Sequence, residues 1–432
     1  MRTWTRAEAW VWRRRGGHVL LVVLAVGYVC AWVVTPLTMP YLPTDNDHFF
    51  WPAAQVGAAG HPLLLYTVHG QEAYPVANGP LGLLLLAPLA AISNALQLPD
   101  TANVHASLVS LLGAGFALLM TVEALRIVCA AREELAWPLA ASTVMLLAPP
   151  LIIAVGDYGH AEQPLQLWLV LLSGRLLASR RSVAAGAAFA LALLTRTTAV
   201  LYLIPAALLP LITRGMRSAA ARMLLTTVLV TAAGIAPFIA ADTSDVVHSL
   251  VTYRGALPIG GGSLWAIAED APIAGLVQHT DVLLVMLLAA TLCALIVWRR
   301  RHVTSNAADL CALLAVTSLC FPMLAKTVFP YYLVEPYIFC AIWWLARPGS
   351  VVSWRAGVLV LLIGDTFVAR WGASNLIGAA AVLEGVLSSL LLAIAAAAIT
   401  VDCLRSVRTR EADVISGRER PIRAREPAQV ST

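Results

Sequence analysis

The sequence predicts an all-α, polytopic integral membrane protein of about twelve spans with one further re-entrant or surface segment. Three observations predict it. Hydrophobic residues make up 59% of the 432, with a mean hydropathy of +0.79, where a soluble domain averages about 45–50% apolar. Apolar runs of roughly 15–25 residues recur along the chain, long enough for a hydrocarbon core of about 30 Å. They are continuous rather than alternating, which argues against a β-barrel. Charge is scarce, at 12% of residues, and the cations cluster between the runs, as they do where charge sets topology.

In chain order, segment 1–17 carries Arg2, Arg6 and Arg13–Arg15 ahead of the first run, 18–39. That run ends without a small-x-small cleavage site, so it reads as an uncleaved first span. The later runs are 81–97, 104–128, 136–155, 163–178, 183–195, 198–212, 223–240, 281–298, 307–324, 331–345, 356–370 and 376–401. Run 81–97 is short, opens after Pro80 and holds Pro88, and no Lys or Arg occurs from Gly16 to Leu125. If it crossed, Arg126, Arg132, Arg180 and Arg181 would lie outside. If it dips in and returns, every later basic cluster lies inside, and the positive-inside rule selects that reading.

The expected organisation is a short cytoplasmic N-terminal segment (1–17), one transmembrane domain (18–401) with outer loops 40–103 and 241–280, and a cytoplasmic, disordered tail (402–432). Both termini are cytoplasmic, and the membrane is a bacterial plasma membrane. The bacterial reading rests on 28 Arg against one Lys and on the Ala and Leu load, a GC-rich signature. The net charge of +5 belongs to short inter-helix loops and implies no nucleic-acid partner. The seven Cys form no Cys-x-x-Cys pair and read as small buried hydrophobes.

Against this background, Asp45-Asn46-Asp47-His48-Phe49 stands out: two carboxylates one residue apart, just past the first span. Carboxylates at a membrane boundary are costly unless solvated, paired or functional. Four cations are expected on the same outer face: Arg196, Arg254, Lys326 and Arg370. Snorkelling to headgroups is the bland reason for each, and an anionic ligand the sharper one. Arg196 interrupts an apolar run where two short spans meet, and Lys326 is the chain's only lysine. The turn 157–163 adds Asp157 and His160, suited to hydrogen-bonding a polar substrate or to a weak metal site. Residues Trp51 to Leu65 read as a surface amphipathic helix. Gly260-Gly261-Gly262-Ser263 lacks the Lys-Ser/Thr of a phosphate loop and reads as a flexible lid or hinge.

These residues resemble the GT-C superfamily of polyprenyl-phosphate-sugar-dependent glycosyltransferases, over about residues 18–345. Within it the chain looks closest to bacterial mannosyltransferase-like membrane proteins of the PIG-M and dolichyl-phosphate-mannose mannosyltransferase type. Asp45 followed by Phe49 is similar to the family's acidic motif, where an aromatic follows four residues after the catalytic acid. Tyr74-Pro75 through Gly79-Pro80-Leu81, with Ala87-Pro88-Leu89-Ala90, is similar to its Tyr-Pro-Pro and Pro-Leu-Ala segment, interrupted here by Val76-Ala77-Asn78. Gly159-His160-Ala161-Glu162 resembles its polar turn. Ala185-Gly186 to Arg196 and Pro205, and Pro330-Tyr331-Tyr332-Leu333, resemble later stretches. Asn46 departs from relatives that carry Glu, which weakens the case for a metal at this motif. No cofactor is called for, and a divalent metal stays open.

The resemblance implies transfer of a mannose-like sugar from a polyprenyl-phosphate donor to a hydroxyl of a lipid or glycan acceptor on the extracytoplasmic face. An inverting transfer needs one general base. The role falls on Asp45, with Asp47 as second choice or acceptor-positioning group. Arg196, Lys326 or Arg254 would stabilise charge on the leaving phosphate, with Asp157, His160 and Tyr331 lining the substrate site. The run Pro80–Gln97 would hold the lipid tail. The rival readings are a secondary transporter or lipid flippase, and a non-catalytic partner in a cell-envelope complex.

Overall fold

The computed structural model describes residues 15–38, 45–68, 76, 78–131, 138–212, 216–253, 257–260, 262–268, 272–300, 307–347, 353–375 and 379–415. Among them the protein is helical, with one isolated bridge pairing Gly260 and Thr327. The helices are α1 (Arg15–Thr38), α2 (Trp51–Ala58), α3 (Pro80–Ala95), α4 (Ala102–Ala131), α5 (Pro138–Leu146), α6 (Pro149–Ile152), α7 (Glu162–Ala178) and α8 (Ser182–Thr195). They continue as α9 (Leu203–Ile212), α10 (Arg217–Ala241), α11 (Thr243–Val247), α12 (Ala274–Arg300), α13 (Ala307–Leu324), α14 (Val334–Ala346), α15 (Trp354–Asn375) and α16 (Ala379–Ile415).

Among the described residues, four helices are long and apolar enough to cross a membrane: Ala102–Ala131, Arg217–Ala241, Ala274–Arg299 and Val382–Arg405. Their outer surfaces keep large apolar side chains exposed, among them Leu225, Val228, Leu229, Leu283 and Leu287. So extensive an apolar exterior is out of place in water and suits lipid. The protein is therefore a helical, membrane-associated one. Its centre is α14, where every residue but Trp344 is buried, as expected of a helix apolar on all sides.

The polar residues gather at two ends of the bundle. At one end, Asn103 Nδ2 donates to the Pro36 carbonyl (2.5 Å) and so ties the end of α1 to the start of α4. The end of α8 and the starts of α3 and α7 meet there too: Gly79 N donates to Thr195 O at 3.1 Å, and Glu162 packs beside Gly82. At the other end, Glu123 of α4 joins Arg126 (3.3 Å) and Arg175 of α7. Here also Asp402 of α16 lies between Arg347 (3.4 Å) and Arg355 (2.8 Å). Ion pairs suit both ends, because polar groups inside hydrocarbon must find partners.

Helix α3 is a single helix with Pro88 in its middle. Its start touches Glu162, while near its end Asn94 donates to Gln55 of α2 at 2.9 Å.

Three expectations are corrected. The tail does not become disordered at Asp402: α16 runs on to Ile415, and Asp402 is buried because two arginines hold it. Residues 416–432 lie outside the described residues. The glycine-rich segment is no open lid around its described residues. Ser263 is fully buried and donates to Ala325 O (2.9 Å), while Gly260 N donates to Lys326 O (3.0 Å). The surface helix from Trp51 stops at Ala58, and Trp51, Ala53 and Ala54 face the interior.

Candidate active site

The site forms where the stretch after α1 meets the turn before α7. Asn46–Phe50 is a π-helical turn, and so is Ile153–Asp157, a geometry that often marks functional positions. Gly159 makes the junction. Its φ of +76° suits glycine, and a Cβ there would sit 2.4 Å from the Asn46 Cβ. Only the missing side chain lets the turn close on the acidic motif. His160 N, bonded to Ala154 O at 2.8 Å, then fixes the imidazole toward that motif.

A chain of ionisable groups results. Asp45 Oδ2 lies 3.1 Å from His160 Nε2, and His160 Nδ1 lies 2.5 Å from Glu162 Oε1. The same Glu162 oxygen faces Arg196 Nη1 at 3.6 Å and accepts from Asn78 Nδ2 at 3.4 Å. The side chains of His160, Glu162 and Arg196 are nearly buried, whereas that of Asp45 is 31% exposed. Asp45 is thus the carboxylate of this chain with access to a ligand. Burial opposes a charge on His160, but the Glu162 and Asp45 carboxylates outweigh it and hold the imidazole above its ordinary value. Burial likewise opposes ionisation of Glu162, yet His160 and Arg196 keep it below the usual carboxylate range.

Aromatic rings wall the cluster. Tyr331 packs on His160 with centroids 4.1 Å apart, and Tyr158 meets Tyr331 edge-on at 4.9 Å. The Arg196 guanidinium lies 5.9 and 5.7 Å from the Tyr331 and Tyr332 rings, within cation–π range. Gln163 Nε2 donates to Tyr331 O at 3.1 Å and so joins α7 to the turn before α14. Arg196 reaches the cluster because the chain breaks there: with φ −154° and ψ 128° it separates α8 from the 3-10 turn Thr197–Tyr202.

The residues anticipated from sequence divide. Asp45, His160, Arg196 and Tyr331 come together. Asp47 faces away from that chain, with Oδ1 3.8 Å from His105 Nδ1, because residues two apart on a helical turn point to different sides. Asp157 pairs with Arg370 instead. Lys326 is fully buried, its Nζ donating to Gln278 O at 2.6 Å and its backbone N to Asp281 Oδ2 at 3.1 Å. It is thus engaged in holding α12 to the loop after α13. Arg254, Tyr74 and Pro75 lie outside the described residues.

Sequence reasoning passed over Glu162 and Asn78. Glu162 was given no role of its own, although it lies in the quoted polar turn. Asn78 belongs to the three residues that interrupt the family-like segment, and that interruption is what delivers its amide to Glu162. The ring-shaped neighbours of Arg196 carried a signal only in the Tyr331-Tyr332 pair.

Among the described residues, no group of three or more His, Cys, Asp and Glu is arranged to hold a metal ion. Compared with known proteins, the chain matches no family model and no curated sequence.

Proposed function

We propose that this protein is a GT-C-like membrane glycosyltransferase of about twelve spans, acting at the outer face of a bacterial plasma membrane with both termini cytoplasmic. It moves a mannose-like sugar from a polyprenyl-phosphate donor to a lipid or glycan hydroxyl. The observation that carries the reading is the half-open Asp45 carboxylate bound to a buried His160–Glu162–Arg196 chain. The direction of the helices supports the topology: the Asp45 end collects turns poor in cations, and the tip between α7 and α8 carries Arg180 and Arg181.

In the proposed reaction Asp45 accepts the proton of the acceptor hydroxyl as that oxygen attacks the anomeric carbon. The bond from that carbon to the phosphate oxygen breaks, its electron pair stays on the phosphate, and the configuration inverts. His160 fixes the Asp45 carboxylate and is itself oriented by Glu162. Arg196 contributes positive charge from behind, partly balanced by Glu162. Arg370, half-exposed beside Asp157, is a cation with access at the rim, where a phosphate would be met.

Secondary transport or lipid flipping is the competing reading, and one observation favours it. Asp365 of α15 and Glu384 of α16 are buried, and carboxyls within spans are often part of ion pathways. Sugar transfer from radiolabelled polyprenyl-phosphate sugars in membranes separates the two. Asp45→Asn is expected to cut transfer by about 10²–10⁴-fold, the worth of a general base. Undiminished transfer in Asp45→Asn, Asp47→Asn and the double variant removes the base assignment.

A further inference from the structure

A second feature of the same face takes no part in the chain built on Asp45. Between α2, the end of α3 and the first turn of α4 lies a cleft of about 680 Å³, within the range of clefts that hold small ligands, about 300–1,000 Å³. Its walls are polar: Asp47, Asp100, His105, Asn94, Gln55 and Ser93 line it. His105 Nε2 sits 2.9 Å from Asp100 Oδ1 while its Nδ1 faces Asp47, and its ring stacks on Trp51 at 4.4 Å. Trp51, also on the wall, is only 3% exposed, and its indole Nε1 has no hydrogen-bond partner among the described residues.

We propose that this cleft binds the polyhydroxylated part of the acceptor, with Asp47, Asp100, Asn94 and Gln55 as its hydrogen-bonding groups. The proposal rests on the glycosyltransferase reading and names the substrate class of its second half. Hydroxyls both donate and accept, so a sugar or cyclitol can give to the two carboxylates and to amide oxygens while accepting from the amides. An anion fits poorly: two carboxylates share one imidazole, so a phosphate would meet net negative charge. The position suits an acceptor as well. Asp47 stands on the same turn as Asp45, and the two sides of a helical turn are about 5 Å apart. A ligand seated in the cleft then carries a hydroxyl past the turn toward the base, while phosphate chemistry stays on the Arg370 side.

The test uses the full chain in lipid nanodiscs. Saturation-transfer NMR with methyl α-mannopyranoside and with myo-inositol reads binding, and inorganic phosphate serves as competitor. The side chain of Asp100 is 90% exposed and Asn94 is exposed, so Asp100→Asn and Asn94→Ala keep the fold. The expected result is binding of at least one polyol by the wild type. Each variant then weakens it about tenfold, the worth of one to two hydrogen bonds, with no displacement by phosphate and with Asp45→Asn still binding. No polyol binding by the wild type, equal binding in both variants, or displacement by phosphate overturns the proposal. The two readings fail separately. Full sugar transfer by Asp45→Asn defeats the catalytic assignment and leaves polyol binding standing. An unchanged acceptor KM in Asp100→Asn and Asn94→Ala, with transfer intact, defeats the cleft alone.

Discussion

Replacing Glu162 with Gln isolates the buried charge on which the site is built. The side chain is 7% exposed and its Oε1 meets His160, Arg196 and Asn78 at 2.5, 3.6 and 3.4 Å. Gln keeps the volume and one acceptor oxygen, so little packing is lost and the charge alone goes. Breaking one side of a buried ion pair costs about 3–5 kcal/mol. Arg196 still has Glu335 nearby and His160 can release its proton, so the lower end applies, about 3 kcal/mol. The pH dependence gives a sharper readout. His160 is held above its ordinary 6.5, so its share of stability is full below that value and is lost as pH rises through the raised one. Glu162 is held below its ordinary 4.5, so its share is present above that value and is lost as pH falls through the lowered one. In Glu162→Gln the acid limb from this group disappears. The alkaline limb moves to lower pH, because burial of His160 is then opposed by Asp45 alone. Thermal unfolding of the detergent-solubilised protein, scanned from well below pH 4.5 to pH 9, measures both limbs. A variant that melts with the wild type at every pH, its alkaline limb unmoved, would refute the idea that Glu162 holds the imidazolium.

The remaining predictions concern other parts of the frame. Gly159→Ala puts a methyl group 2.4 Å from Asn46 Cβ at a φ of +76°; it is expected to destabilise by about 1–3 kcal/mol through strain and overpacking and to lower transfer, read by melting temperature and activity together. Asp402→Asn leaves Arg347, itself only 6% exposed, without its counter-charge, and a loss of about 3–5 kcal/mol should appear as a lowered melting temperature. Arg370→Ala removes an ion pair whose two side chains are 48% and 38% exposed, so stability should change by no more than about 1 kcal/mol, while donor KM rises if this arginine meets the phosphate. Leu98→Cys, just past α3, should react with a membrane-impermeant thiol reagent from outside; labelling only from the cytoplasm would mean that α3 crosses.

Much of the frame was legible in the sequence. Apolar runs marked most of the helices, because each span must be apolar along its length whatever it packs against. The basic clusters marked the breaks between runs, because that signal is local and needs no partner. Boundaries were less legible. The tail from Asp402 looks like solvated, mixed charge, and the ion pairs that bury its first residue come from Arg347 and Arg355, 55 and 47 residues away along the chain by position. The segment Gly260–Ser263 looks flexible by composition, and only the loop around Lys326 reveals that its described residues are tied down. The buried carboxyls Asp365 and Glu384 sit inside runs where hydropathy averaged them away.

The sequence by itself determined that this is a helical membrane protein, that its cations cluster between apolar runs, and that Asp45 and Asp47 follow the first of those runs. These follow from the free energy of moving groups out of water, which each residue carries wherever it lies. Only the tertiary structure decided which carboxylate is poised and by what. His160 lies 115 residues from Asp45 in sequence, and the two meet because Gly159 has no side chain. The same packing buries Glu162 and Arg196 behind the histidine, turns Asp47 toward His105 and a polar cleft, and commits Lys326 to the backbone of α12. Hydrogen-bonding and charge partners depend on orientation and distance, and no local property of the chain encodes those before the helices pack.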